Sequence, residues 1–267
     1  MIAGTPVARW SWGEPGHETD LVREAVRRFL SALGALERYR LGTPHGGRVA
    51  VEVPGMGRRG ILLRADFPVG ALTADVEALV VRIKEGIAAG EIGGVNLYAS
   101  CDGIVETGAG GGEVVEGLFE LTAAVSEGYF HVGLTAFSDA WMPSDLRGRA
   151  QEAVFAANRP RLASALAEIA EELDVAIDPE DATWFGFPTE SGIENHYEPR
   201  DAADLDAYRA GLVWLDRLQE AYDRGLSPTA ALVELGKCSG DPVAGRPEAN
   251  AAVDVDEFGK LALLALE

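Results

Sequence analysis

The chain has 267 residues, 47% of them hydrophobic, which is enough to bury a sizeable core in one large or two small domains. Its net charge of −20 repels phosphate groups, so we expect neither nucleic acid nor an anionic membrane as a partner. No apolar run reaches the roughly 18 residues of a membrane span, and the N-terminus lacks the apolar segment of a secretory signal, so we expect a cytoplasmic protein.

The first part of the chain predicts a tail, a helix and a β-hairpin. Residues 1–19 show no clear periodicity and are expected to form an irregular tail. Apolar residues recur at helical spacing over 20–39, which predicts an amphipathic helix. They then alternate with other residues over 49–53 and over 61–67, and the glycine- and arginine-rich link between these runs predicts a turn. We therefore expect the two runs to pair as a hairpin.

The next segment predicts one helix and several strands. Thr73 is a candidate N-cap, because apolar residues follow it at helical spacing. Residues 95–101 alternate as a strand. The stretch TGAGGGE at 107–113 lacks the third glycine of a dinucleotide-binding motif and the GK[ST] of a phosphate loop, so we interpret it as a flexible turn. Residues 117–125 fit a strand or a helix, and we favour a hairpin with a long strand over 129–141.

The second half of the chain predicts helices. The helical pattern over 153–173 contains Pro160, near which we expect the helix to be broken. A longer apolar seam over 205–222 predicts a helix of about six turns. Because strands largely precede helices, we predict an α+β fold with a mostly antiparallel sheet covered by helices. The predicted regions are an irregular tail (1–19), an α+β sheet domain (20–149), a helical region packing on the sheet (150–236), and a loop with a short terminal helix (237–267).

No motif in the sequence is specific enough to name a reaction. A GxSxG nucleophile elbow, an HExxH zinc motif and an EF-hand loop are all absent, and no cofactor is predicted. Cys101 and Cys238 lie far apart and outside any CxxC pair, which argues against a disulfide framework or a zinc ribbon. We expect Cys101 to be a small core residue. Only three basic residues are lysines, against 20 arginines, which is typical of a high-GC bacterium.

The strand over 129–141 carries candidate catalytic residues on its less apolar face. His131 is the acid–base candidate, and Asp139 and Asp145 are the candidate carboxylates, with Trp141 lining the mouth of a pocket. On one extended strand His131 and Asp139 would lie roughly 26 Å apart, so they cannot pair directly. The competing interpretation is structural: Asp145 forms a local salt-bridge cluster in a turn, and the C-terminal helices cover this face of the strand.

The charge of the chain is concentrated in one segment. Residues 168–206 contain thirteen acidic residues and one base, Arg200, and so account for twelve of the twenty net negative charges. Aromatic residues lie among these acids, as in binding surfaces where aromatics provide affinity and charge steers the partner. The alternative is a solvated helix end followed by core aromatics. The candidate binding residues in this segment are Trp184, Phe187, Glu190, Glu194, Tyr197 and Glu198.

A metal site is a further hypothesis for the same segment. Glu194, His196 and Glu198 alternate, so they would face one side of a strand. Carboxylate and imidazole groups both bind divalent metal ions. Exposed strands often show the same pattern, so a solvated strand is the alternative interpretation.

Two functions of different classes fit these observations. The first is a non-catalytic, acidic, cytoplasmic binding protein, such as an immunity protein or an inhibitor that neutralises a basic protein partner. The alternative is a small-molecule-processing enzyme or ligand-binding protein with a pocket on the strand and turn over 129–145. The sequence does not specify an oligomeric state.

Overall fold

The computed structural model describes residues 2–16, 19–57, 60–69, 76–108, 110–195 and 224. The chain divides into two units, Met1–Glu198 and Pro199–Glu267, and nearly all described residues belong to the first. The predicted domain boundaries within the chain stay predictions. The predictions that lie outside the described residues are those for Thr73, for 205–222, for 237–267, and for His196, Tyr197 and Glu198.

The described residues form strands interspersed with helices. The strands are β1 (Ala8–Pro15), β2 (Thr43–Pro44), β3 (Arg48–Pro54), β4 (Ile61–Pro68), β5 (Gly94–Glu106), β6 (Gly112–Ser126), β7 (Tyr129–Ala136), β8 (Asp178–Pro179), β9 (Gly186–Thr189) and β10 (Gly192–Asn195). The helices are α1 (Leu21–Arg38), α2 (Val76–Gly86) and α3 (Glu152–Leu173).

A large antiparallel sheet organises the described part of the chain. Its order is β4-β3-β5-β6-β7-β1-β8, and β2 adds to β5, which makes eight strands. Every described pairing is antiparallel, and β9 and β10 form a separate hairpin. With three helices among the described residues, this arrangement is the predicted α+β fold with an antiparallel sheet.

One face of the sheet forms the core with the helices. Helix α1 contacts β5, β6 and β7 on this face and also contacts α2 and α3. It begins after Asp20, whose carboxylate accepts a hydrogen bond from the backbone N–H of Arg23 at 3.2 Å, as an N-cap does. The opposite face carries exposed or half-buried side chains, among them Tyr98, Tyr129 and His131.

The predicted hairpins are confirmed, and the strand assignment of 117–125 is correct. The first pairs β3 with β4, and the second pairs β6 with β7. The turn at 107–113 joins β5 to β6, as expected for a glycine-rich connection, although both strands extend closer to it than predicted. The helices predicted over 20–39 and 153–173 are confirmed as α1 and α3.

Three local predictions are wrong. The irregular tail contains β1, in which Ala8, Trp10 and Trp12 alternate onto the buried face. The strand predicted over 129–141 ends at Ala136, because the chain turns through a short 3₁₀ segment at Asp139–Trp141. Pro160 lies inside α3 without ending the helix.

A buried amide joins α3 to the end of β5. Asn158 is fully buried, and its Nδ2 donates to the backbone carbonyls of Glu106 and Val154 at 2.8 and 2.7 Å. Its Oδ1 accepts from the Glu106 N–H and from Arg161 Nη1, both at 2.9 Å. Arg161 in turn donates to the carbonyls of Ile104 and Tyr39 at 2.8 and 2.7 Å. All four hydrogen bonds available to this buried amide are therefore made.

Replacement of this amide should be costly. We expect Asn158→Ala to lower the free energy of unfolding by about 3 kcal/mol, because it removes a buried amide and deprives the backbone N–H and carbonyl of Glu106 of their hydrogen bonds to it. Glu171→Ala, an exposed change on the same helix, should change it by less than about 0.5 kcal/mol. Denaturant unfolding of both variants measures the difference, and equal stabilities would contradict the role given to Asn158.

Candidate binding surface

The β9–β10 hairpin gives the acidic, aromatic segment its geometry. Its register places Phe187 directly opposite Glu194, and Pro188 opposite Ile193. Pro188 and Ile193 are buried, whereas Phe187 and Glu194 are exposed, so the hairpin has an inner apolar face and an outer mixed face. The connecting turn needs Gly192, whose φ of +152° is unfavourable for residues with a side chain. Thr189 closes the turn by donating its hydroxyl to the Gly192 carbonyl at 3.2 Å.

Hydrogen bonds from β1, from the residue before it and from the loop after β7 hold the hairpin and the segment before it. Trp10 Nε1 donates to the Thr189 carbonyl at 2.8 Å. The Thr183 hydroxyl donates to the carbonyl of Val7 at 2.6 Å. The amide of Asn195 donates to the carbonyl of Ser144 at 3.2 Å and accepts from the N–H of the same residue at 3.0 Å. The outer face is therefore presented on an element that is fixed to β1 and to the loop after β7.

Two large aromatic side chains on this segment face the solvent. Trp184 is 61% exposed and Phe187 is 43% exposed, whereas the intervening Phe185 packs partly against the core. The alternative in which these aromatics belong to the core therefore holds for Phe185 and not for its neighbours. Exposed aromatics on an anchored element are typical of interaction surfaces.

Carboxylates accompany these aromatics. Asp178, on β8, lies next to β1, and β9 also contacts β1, so the two elements share one end of the sheet. In the described part of the chain, no ion pair involves the carboxylate of Asp178, Asp181, Glu190 or Glu194. We refer to the following exposed residues as the acidic aromatic surface: Asp178, Asp181, Trp184, Phe187, Glu190 and Glu194.

The metal hypothesis is tested only in part. Of its three residues, Glu194 is described and exposed, and the other two lie outside the described residues. Within the residues that the structure describes, no group of three His, Cys, Asp or Glu side chains is arranged to hold a metal ion. A site completed by His196 and Glu198 stays a prediction.

The residues predicted around β7 are not gathered at one open site. His131 is half-buried in the middle of the strand, opposite Gly13 on β1 and Ala124 on β6, on the face away from the helices. Asp139 and Trp141 lie beyond the end of β7 and are buried. The indole of Trp141 therefore does not line an open mouth as predicted.

The two candidate carboxylates instead organise the loop after β7. Asp139 Oδ2 accepts from the N–H of Leu146 at 3.0 Å. Asp145 accepts from the backbone N–H groups of Arg147 and Arg149, at 2.9 and 2.8 Å, and from Arg149 Nε at 2.7 Å. Burial opposes ionisation of Asp145, but the hydrogen bonds from Arg149 and Arg147 outweigh it and lower the pKa of this carboxyl below its usual value. These contacts favour the structural interpretation, and a catalytic role stays a prediction.

A histidine–carboxylate pair that is not predicted from the sequence lies at a distortion of the sheet. His45 Nδ1 lies 2.9 Å from Asp102 Oδ2, and Asp102 Oδ1 accepts from the N–H of Gly117 at 2.9 Å. The register of β5 and β6 shifts beside this position, and Gly117 has a φ of +61°. Asp102 raises the pKa of the His45 imidazole through its hydrogen bond and its charge. Because 57 residues separate the pair, no local spacing could predict it.

Three comparisons place no further constraint on the site. No family model matches the chain, and neither a curated protein nor a solved structure does. No helix among the described residues is long and apolar enough to cross a membrane. The geometry of the described residues therefore carries the functional argument.

The tryptophans of β1 allow a test of the hairpin anchor. Trp10 donates to the Thr189 carbonyl, whereas the buried Nε1 of Trp12 has no hydrogen-bond partner among the described residues. We expect Trp10→Phe to lower the free energy of unfolding by about 1 kcal/mol more than Trp12→Phe, because only the first change deprives a partner of its hydrogen bond. Thermal and denaturant unfolding of the two variants measures this difference. A larger loss for Trp12→Phe would argue against the anchor.

The His45–Asp102 pair makes stability depend on pH. The imidazole has a raised pKa in the folded chain, so its contribution is complete below the ordinary value of 6.5 and is lost as the pH rises through the folded value. We expect His45→Gln to destabilise the protein more at about pH 5.5 than at about pH 9. NMR titration should also show a lower His45 pKa in Asp102→Asn. An unchanged imidazole titration in that variant would contradict the pairing.

Proposed function

We propose that the protein is an acidic, non-catalytic binding protein of the cytoplasm, immunity- or inhibitor-like, that binds a basic protein partner through the acidic aromatic surface. The observation that carries the proposal is the exposure of Trp184, just before the β9–β10 hairpin, and of Phe187 on β9, in a segment fixed to β1 and to the loop after β7. Aromatic side chains that stay exposed on an ordered element can act as anchors that enter pockets of a partner.

The fixed position of the hairpin supports tight binding. An aromatic side chain that enters a partner's pocket removes 150–250 Å² from water, which makes tryptophan a frequent energetic centre of interfaces. Binding also costs conformational entropy when loops and side chains must be ordered. The hydrogen bonds of Trp10, Thr183 and Asn195 order this element before any partner arrives, so less of that cost remains.

The charge supports a basic partner. The acidic aromatic surface contributes four exposed carboxylates to a chain whose net charge is −20. Such a field accelerates encounters with a positively charged protein and disfavours acidic ones. Because exposed charges are screened within about 8–10 Å at physiological ionic strength, the association should weaken as salt is added.

The alternative function, a reaction or ligand site on 129–145, has less support. Trp141 is buried against Phe119, with ring centroids 5.5 Å apart. Asp139 and Asp145 accept backbone hydrogen bonds of their own loop. Among the described residues, His131 makes no hydrogen bond to a carboxylate or hydroxyl group with which it could form a catalytic group. No specific observation favours a reaction there.

The proposal predicts a specific loss of binding. The tagged full chain, incubated with a lysate of its source organism at low salt, should retain a basic protein that a salt gradient releases. Trp184→Ala/Phe187→Ala should lower the affinity for that protein by about 100-fold or more, since each anchor typically contributes about 2 kcal/mol. Calorimetry with the purified partner measures the loss.

A matched double variant controls for general loss of exposed aromatic surface. Tyr98 and Tyr129 are 42% and 48% exposed and lie on the face of the main sheet away from the helices. Tyr98→Ala/Tyr129→Ala should leave the affinity within a factor of about three. Equal losses in the two double variants, or none in the hairpin variant, would exclude the acidic aromatic surface as the binding site.

A further inference from the structure

We propose that the face of the main sheet directed away from the helices binds a neutral saccharide. The site spans the adjacent strands β5, β6 and β7, with Tyr98 and Tyr129 at opposite corners. This inference goes beyond the proposed function, because the site lies on other strands than the acidic aromatic surface and takes a different class of ligand. It also uses none of the buried loop residues Asp139, Trp141 and Asp145.

The strand register leaves a slot on this face. Asn96 on β5 and His131 on β7 both lie directly opposite Ala124 on β6, which runs between them. Two strand spacings of about 4.8 Å therefore separate the backbones that carry the amide and the imidazole, with only a methyl group between these side chains. We refer to these three residues, together with Tyr98 and Tyr129, as the sheet slot. Its width of about 10 Å leaves room for one sugar ring above the Ala124 methyl group.

Glycines allow two of the rings to lie along the sheet. A side-chain carbon added at Gly13 would lie 2.6 Å from the Tyr129 hydroxyl, so the Tyr129 ring extends over this glycine of the neighbouring strand. A carbon added at Gly133 would lie 3.2 Å from His131 Cε1, so the imidazole occupies the corresponding space there. Glycine within a strand weakens it and often marks the close approach of another group. Because Tyr129 is still 48% exposed, its ring presents a face to which a ligand has access.

The sheet slot offers hydrogen-bonding groups that the fold does not use. In the described part of the chain, the side chains of Asn96, Tyr98, Tyr129 and His131 make no hydrogen bond. Amide, phenol and imidazole groups can between them both donate and accept. Sugar hydroxyls do the same, and the carbon-bound hydrogens of a sugar ring give it apolar faces that can pack on an aromatic ring. A saccharide therefore matches both the rings and the polar groups of the slot.

The charges around the slot favour a neutral ligand. None of the five slot residues carries a carboxylate, and the neighbouring Glu52, opposite Asn96, accepts a hydrogen bond from Arg64 Nε at 2.8 Å. Glu120 lies four residues from Ala124 along β6, or about 14 Å. The net charge of −20 repels phosphorylated or sulfated ligands. An apolar protein surface would leave the polar groups of the slot without partners.

Titration of the full chain with neutral oligosaccharides tests the inference. The probes are cellohexaose, chitohexaose, maltohexaose and mannohexaose, each added at millimolar concentration and followed by NMR of the backbone amides. We expect at least one of them to shift amides of β5, β6 and β7 and not those of the β9–β10 hairpin. Tyr98→Ala/Tyr129→Ala should weaken this binding by about 10-fold or more, because the stacking of both rings is lost.

A second variant tests the slot without removing either ring. Ala124→Leu fills the floor of the slot and should also weaken binding by about 10-fold or more. Thr135→Leu introduces the same side chain elsewhere on this face and should leave the affinity within a factor of about two. The amide spectra of the variants show at the same time whether each one keeps the fold.

The outcomes separate this inference from the proposed function. If no hexasaccharide shifts amides of β5, β6 and β7, or if Ala124→Leu binds as the wild type does, the saccharide site is overturned and the binding of a basic protein is unaffected. Trp184→Ala/Phe187→Ala should keep the affinity for the hexasaccharide while it loses the basic protein. Loss of the hexasaccharide in that variant, in a chain that keeps its fold, would place the site at the hairpin and overturn the sheet slot.

Discussion

The pairing of β1 with β7 is the interaction on which the rest of the described structure depends. It extends from Ala8–Ala136 to Pro15–Tyr129, so the N-terminal strand lies inside the sheet, with β8 on its other side. The register places Trp10 beside Leu134 on the buried face. Burial of one such aromatic stabilises the fold by several kcal/mol on area grounds. The strand nearest the N-terminus is thus a central part of the core.

The same strand also determines what the protein presents to solvent. Trp10 is buried through its ring, yet its Nε1 donates to the carbonyl at the end of β9. The carbonyl of Val7, just before the strand, accepts from Thr183. Core packing and the orientation of the hairpin are therefore coupled through a few residues, and a disturbance of β1 would move the exposed aromatics as well as weaken the core.

Secondary structure could be predicted from the sequence where the pattern is local. Contacts between distant residues could not. Helical spacing over 20–39 and alternation over 49–53 predict their elements correctly, because one buried face requires that period. The stretch ARWSWG alternates too, but its arginine, serine and glycine made the segment resemble a tail. The pairs that shape the surface join residues far apart in sequence, as Trp10 and Thr189 do, and no period records them.

The candidate site was predictable in composition and not in geometry. Acidic residues around aromatics indicate a surface, but only the register shows that Phe187 faces Glu194 while Phe185 turns toward the core. By contrast, Asp139 and Asp145 have the residue types of a reactive site and the contacts of a loop scaffold. Asp145 accepts two backbone N–H groups and Asp139 accepts one, and moving either carboxylate away would leave those donors without partners.

The distribution of ion pairs supports the binding role proposed for the acidic aromatic surface. Several acidic residues elsewhere have arginine or lysine partners, as Glu172 has Arg38 and Asp20 has Lys84. The acidic aromatic surface has carboxylates without such partners in the described part of the chain. Exposed ion pairs contribute little to stability, so their absence costs the fold little. It leaves exposed negative charge in the same segment as two exposed aromatic rings, and this combination supports the proposal of a basic protein partner.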